Sequence, residues 1–129
     1  MAYSLQTSVK EDRIHFLATG KNAPAALAAL FDECLAICRK TGQRVALLED
    51  ALTGPDIELN VLFEVIGHAA DAARDQVDLV CYVKTTPGHD PGTVRFAENV
   101  ASNHKVNVRV FRTVEDAERF IAIGRKWPQ

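Results

Sequence analysis

Apolar and polar positions alternate through two short runs near the start of the chain, YSLQTSV (residues 3–9) and RIHFLAT (residues 13–19), joined through the charged turn KEDR. Period-two alternation marks a half-buried strand, and so short a turn predicts a β-hairpin over residues 2–19. The period then changes. Leu27, Leu30, Phe31, Cys34 and Cys38 recur at helical spacing, with Asn22 as the N-cap, Pro24 in the first turn and Gly42 as the stop, which predicts a helix over roughly 23–41. RVALLED (residues 44–50) follows as a short, mostly apolar strand of the kind covered on both faces in a parallel sheet.

A second helix is expected over about 55–76. It begins at TGPD, where Thr53 reads as the cap and Asp56, three residues later, completes a capping box. VDLVCYVK (residues 77–84) is the next buried strand. Asp90 then caps a third helix, Pro91 takes the first helical position where its missing N–H costs nothing, and Phe96, Ala97, Val100 and Ala101 share one face. VNVRVF (residues 106–111) is the last strand. Thr113 with Asp116 repeats the capping-box pattern and opens a fourth helix with Ala117, Phe120 and Ile121 toward the core.

The resulting order is β-β-α-β-α-β-α-β-α. Strands separated by helices of this length imply right-handed crossovers, so an α/β fold with a mixed, mostly parallel five-stranded sheet is expected, the N-terminal hairpin supplying the antiparallel strand. No linker, low-complexity run or charge block interrupts it, and residues 1–129 read as a single domain.

The segment RFAENVASNHKVNVRVFRTVEDAERFI (residues 95–121) resembles the C-terminal signature of the SpoIIAA-like proteins, bacterial relatives of the STAS domain. The Y-x-L opening, the ATG before the first helix and RVALLEDALTG after it also fit, so the likeness spans nearly the whole chain. The resemblance implies a SpoIIAA-like (STAS-like) sheet with its helices mainly on one face, similar also to the CRAL-TRIO domain that holds lipophilic ligands. It implies no enzyme. Anti-sigma-factor antagonists of this kind carry a phosphorylated serine in a turn before the second helix; here the matching EDALTGPD holds no serine, and its one hydroxyl, Thr53, reads as a helix cap.

Composition narrows the function classes. With 47% hydrophobic and 25% charged residues, the chain is an ordinary globular one, large enough to bury a core without disulfides or metal. Its net charge of −2 comes from scattered charges, with no basic stripe for nucleic acid. The N-terminal residues hold no apolar run of signal-peptide length, and no window suits a bilayer, so a cytoplasmic location is expected. Three cysteines without a secretory signal fit a reducing compartment.

Specific chemistry is sparse. Cys34 and Cys38 share the apolar stripe of the first helix and Cys81 lies inside a buried strand, so all three read as core rather than metal ligands or nucleophiles. His15, His68, His89 and His104 make no pair at ligand spacing, although His104 suits the end of the third helix. No glycine-rich phosphate loop occurs, and no cofactor is expected. The crevice outside the carboxyl ends of parallel strands remains as a candidate ligand or anion site, with Asp50, Thr53, Thr85, Thr86 and His89 on that edge.

The second helix carries apolar residues on more than one side. Leu59, Leu62, Phe63, Ile66, Ala70 and Ala73 fall in one arc and are expected to face the core, which leaves Ile57, Val61 and Val65 as a candidate outward interface, fit for a homodimer. The expectation is a non-catalytic domain acting by protein–protein contact or small-ligand binding. The alternative is a CRAL-TRIO-like binder of a lipophilic molecule with peripheral membrane association.

Overall fold

The structure is a computed structural model that describes residues 3–124; the expected hairpin range thus starts one residue outside it. Strands β1 (Tyr3–Val9) and β2 (Ile14–Lys21) form the antiparallel hairpin, closed by the Lys10 N–H donating to the Arg13 carbonyl at 2.7 Å. Helix α1 (Pro24–Thr41), strand β3 (Val45–Thr53), helix α2 (Leu59–Ala73), strand β4 (Leu79–Lys84), helix α3 (Pro91–Asn103), strand β5 (Val108–Phe111) and helix α4 (Val114–Gly124) follow. The sheet order is β1-β2-β3-β4-β5, and every pair after the hairpin is parallel.

Strands added in sequence order, each through a right-handed crossover, keep their helices on the same side of the sheet. Accordingly α2 touches both α1 and α3, and the three pack over Phe16, Ala46, Leu48 and Leu52 in one core. Helix α4 follows the last strand and lies on the opposite face, where Ala117 and Ile121 cover Leu47, Cys81 and Val83 and the rings of Phe111 and Phe120 meet at 5.3 Å. Strand β3 is therefore apolar on both faces, as a strand sandwiched between helix layers must be.

Where local chemistry fixes an element's end, the structure follows the sequence pattern. Gly42 ends α1 at φ 75°, a left-handed conformation that suits glycine. The Asp90 carboxylate accepts from the Gly92 N–H at 2.8 Å with Pro91 behind it, and the Thr113 hydroxyl accepts from the Asp116 N–H at 3.1 Å. Two expected caps are corrected. The N-cap of α1 is Ala23, which offers no side-chain cap, and the Asn22 amide instead donates to the Pro55 carbonyl at 3.0 Å. Helix α2 starts at Leu59, not near residue 55, because β3 continues to Thr53 and Asp56 is already accepting from the Asp90 N–H.

The facing of α2 is also corrected. Leu62, Ile66 and Ala70 are buried, but Leu59 and Phe63 are 49% and 53% exposed, one turn apart on the outer surface. Ile57 precedes the helix and is buried, while Val61 and Val65 are half-buried against the same core. A central helix with neighbours on both sides buries its flanks as well as its base. Apolar flanks on α2 thus belong to the protomer's own packing rather than to an outward stripe.

Candidate functional site

The carboxyl edge of the parallel strands does gather the expected residues, but as a knot of main-chain bonds. The Thr53 hydroxyl donates to the Gly20 carbonyl at 3.2 Å, so it ties two strand ends together and caps no helix. The Thr85 N–H donates to the Asp50 carbonyl at 3.0 Å, and the Thr86 hydroxyl to the Leu52 carbonyl at 3.0 Å. His89 Nδ1 lies 2.7 Å from the Thr86 carbonyl and must donate to it, which leaves Nε2 as the free ring nitrogen. Ligand crevices in open α/β sheets form where strand order reverses and neighbouring loops diverge. This sheet winds in one direction without reversal, so the loops after β2, β3 and β4 lie together at its edge and bond to one another, and the edge is open only beyond them, at the ends of β4 and β5.

Asp50 alone of that set points elsewhere. Period-two alternation puts it with Ala46, Leu48 and Leu52 on the three-helix face, where it is 1% exposed and is the sole buried charged residue among the described residues. Register places it opposite Lys84, and Tyr82 stands two residues before Lys84 on the same face. The Lys84 ammonium donates to Asp50 Oδ1 and to the Leu52 carbonyl, each at 3.2 Å. The Leu52 N–H also donates to Oδ1, at 2.9 Å, and the Tyr82 hydroxyl donates to Oδ2. Both carboxylate oxygens are thus occupied, as a buried charge requires.

Above this trio lies a cavity of about 160 Å³ between the sheet and α1, α2 and α3. Its wall is mostly apolar, with Phe16, Leu48, Leu62, Ile66, Val80 and Val108 among the lining residues. Two of the three polar residues on its floor, Tyr82 and Lys84, are not among the residues expected from the sequence, where a cavity enters only with the lipophilic-ligand alternative. A signal existed: Asp50 and Lys84 each interrupt an apolar strand at a position of core parity. What joins them is strand register, which is nonlocal.

Burial, then the charge of Asp50, pushes the Tyr82 phenol well above its ordinary range, and Tyr82 stays a neutral hydrogen-bond donor at working pH. The chain's other tyrosine, Tyr3, is pushed up to about 12, chiefly by donating to Glu33 at 2.5 Å. The folded chain therefore keeps two phenol protons that the unfolded chain releases near pH 10. This contribution to stability is complete below about pH 10 and falls as pH rises through and above it. An ultraviolet absorbance titration should show little tyrosinate at pH 10; half-ionised tyrosines there would contradict the buried trio.

Other candidate groups are accounted for in packing. Cys38 and Cys81 are buried and Cys34 half-buried, and burial pushes all three thiols up, that of Cys81 to about 11. His104 ends α3 with Nδ1 2.8 Å from Asp71, and that hydrogen bond holds the Asp71 carboxyl below its usual range. No three His, Cys, Asp or Glu side chains converge as a metal-holding group among the described residues. No helix among them is long and apolar enough to cross a membrane. Compared with known proteins, the chain matches no protein-family model and no curated sequence. The SpoIIAA-like resemblance therefore rests on the quoted segments alone.

Proposed function

We propose that this chain is a cytoplasmic, non-catalytic, SpoIIAA-like domain that binds one small, largely apolar molecule in the cavity beneath α1, α2 and α3. The observation that carries this reading is a mostly apolar cavity with a satisfied polar trio, Asp50, Tyr82 and Lys84, on its floor. Ligand sites commonly combine an apolar wall with a few fixed polar groups that set orientation. The trio supports binding over proton transfer. Tyr82 is held protonated, and the Asp50 carboxylate already accepts from three donors.

Size selects among ligands. A cavity of roughly 150 Å³ accommodates a benzene ring, whereas a carrier of a long-chain lipid needs several hundred. The volume of about 160 Å³ favours a single ring or a short chain over a membrane lipid. Homodimerisation through Ile57, Val61 and Val65 gains no support, since these side chains pack within the protomer.

Native mass spectrometry of protein purified from its own cells tests the reading. The expected spectrum shows the folded chain with a bound mass in the range of a single-ring or short-chain molecule. A bare polypeptide in every preparation would count against the reading, and a bound mass of phospholipid size would favour the lipid-carrier alternative.

A further inference from the structure

A second hollow, of about 590 Å³, lies at the carboxyl ends of β4 and β5 beside α3. It is a groove of different character from the inner cavity, for its wall includes Lys84, His89, Arg95 and Arg112 against one carboxylate, Glu98. Asp50 balances Lys84, which leaves two cations, Arg95 and Arg112, against the one carboxylate of Glu98. Both are exposed, and neither has an ion-pair partner among the described residues. Glu98 is fixed in another role: it accepts from the Val110 N–H at 3.0 Å, a donor on the edge strand that has no further strand to pair with. The groove is net positive in a chain whose total charge is −2.

The two hollows share a wall. Lys84, Val94, Glu98 and Val110 line both. Lys84 sits at the junction with its side chain only 8% exposed, and two of its three ammonium N–H groups are committed to Asp50 and Leu52. The third has no hydrogen-bond partner among the described residues.

We infer that the ligand is an amphipathic carboxylate. Its tail, one ring or about six carbons, fills the inner cavity, and its carboxylate lies in the outer groove against Lys84, Arg95 and Arg112. This inference rests on the small-ligand reading and adds the chemical class. A carboxylate suits the groove because guanidinium forks bind its two oxygens in a plane. A neutral head would leave the arginines without a role, and a bare anion would leave the cavity unfilled.

Isothermal titration with phenylacetate, 2-phenylethanol and acetate separates the two claims, because the three share either a tail or a head. Phenylacetate is expected to bind about tenfold more tightly than 2-phenylethanol at low salt, acetate hardly at all, and the advantage should shrink as salt rises. The Arg95→Gln/Arg112→Gln variant, altered only at exposed positions, should lose that advantage while binding 2-phenylethanol as the wild type does. If 2-phenylethanol binds the wild type as tightly as phenylacetate, or the double variant keeps the preference, the carboxylate assignment is overturned while the cavity reading stands. If neither ring compound binds, both fail.

Discussion

Replacing Asp50 by alanine is expected to cost the fold about 3–5 kcal/mol, the range seen when one partner of a buried ion pair is removed. The Lys84 ammonium would remain buried without its counter-charge, and the Tyr82 hydroxyl and Leu52 N–H would both lose their acceptor. Against a total of roughly 5–15 kcal/mol for an ordinary domain, that loss removes a large part of the margin. Lys84→Met should do comparable damage by orphaning Asp50. The informative variant is Asp50→Leu/Lys84→Met with Tyr82→Phe, which removes both charges and the hydroxyl together. It should recover most of the lost stability, since apolar replacement of a whole buried pair is often close to neutral. Urea denaturation midpoints measure all three; an Asp50→Ala variant within about 1 kcal/mol of wild type would mean that the trio is solvated.

The second large effect contrasts adjacent residues of α2. Leu62 is 5% exposed and Phe63 is 53% exposed, so Leu62→Glu places a carboxylate in the core and Phe63→Glu places one in water. An unpaired charge in an apolar interior costs several kcal/mol or forces the site open, and Leu62→Glu should fail to fold at ordinary temperature. Phe63→Glu should stay within about 0.5 kcal/mol of wild type. Circular dichroism melts of the pair decide the facing of the helix. Equal destabilisation would restore the arc in which both residues face the core.

That facing marks the limit of what the sequence could disclose. Hairpin, element order and the ends at Gly42, Asp90 and Thr113 were legible because each depends on chemistry within a few residues. Start of α2 was misread because Thr53 and Asp56 have capping-box spacing, yet both side chains find partners outside the helix, at Gly20 and Asp90. Apolar flanks at Val61 and Val65 look the same in sequence whether a neighbouring helix or a second molecule covers them, and only the sheet order settles it. At the site, the sequence places Asp50 on the strand-end edge but does not disclose that it turns inward to the helix-covered face. Tyr82 and Lys84 join it through the β3–β4 register, which no local pattern encodes.

The central claim, that the hollow beneath the three helices takes a ligand, is tested most directly by methyl and ring NMR during titration with toluene, a tail without a head. Binding in the cavity predicts saturable shifts at Leu48, Leu62, Ile66, Val108 and the Tyr82 ring, all lining residues. No saturable change at these positions, or shifts confined to the exposed Leu59 and Phe63, would contradict it.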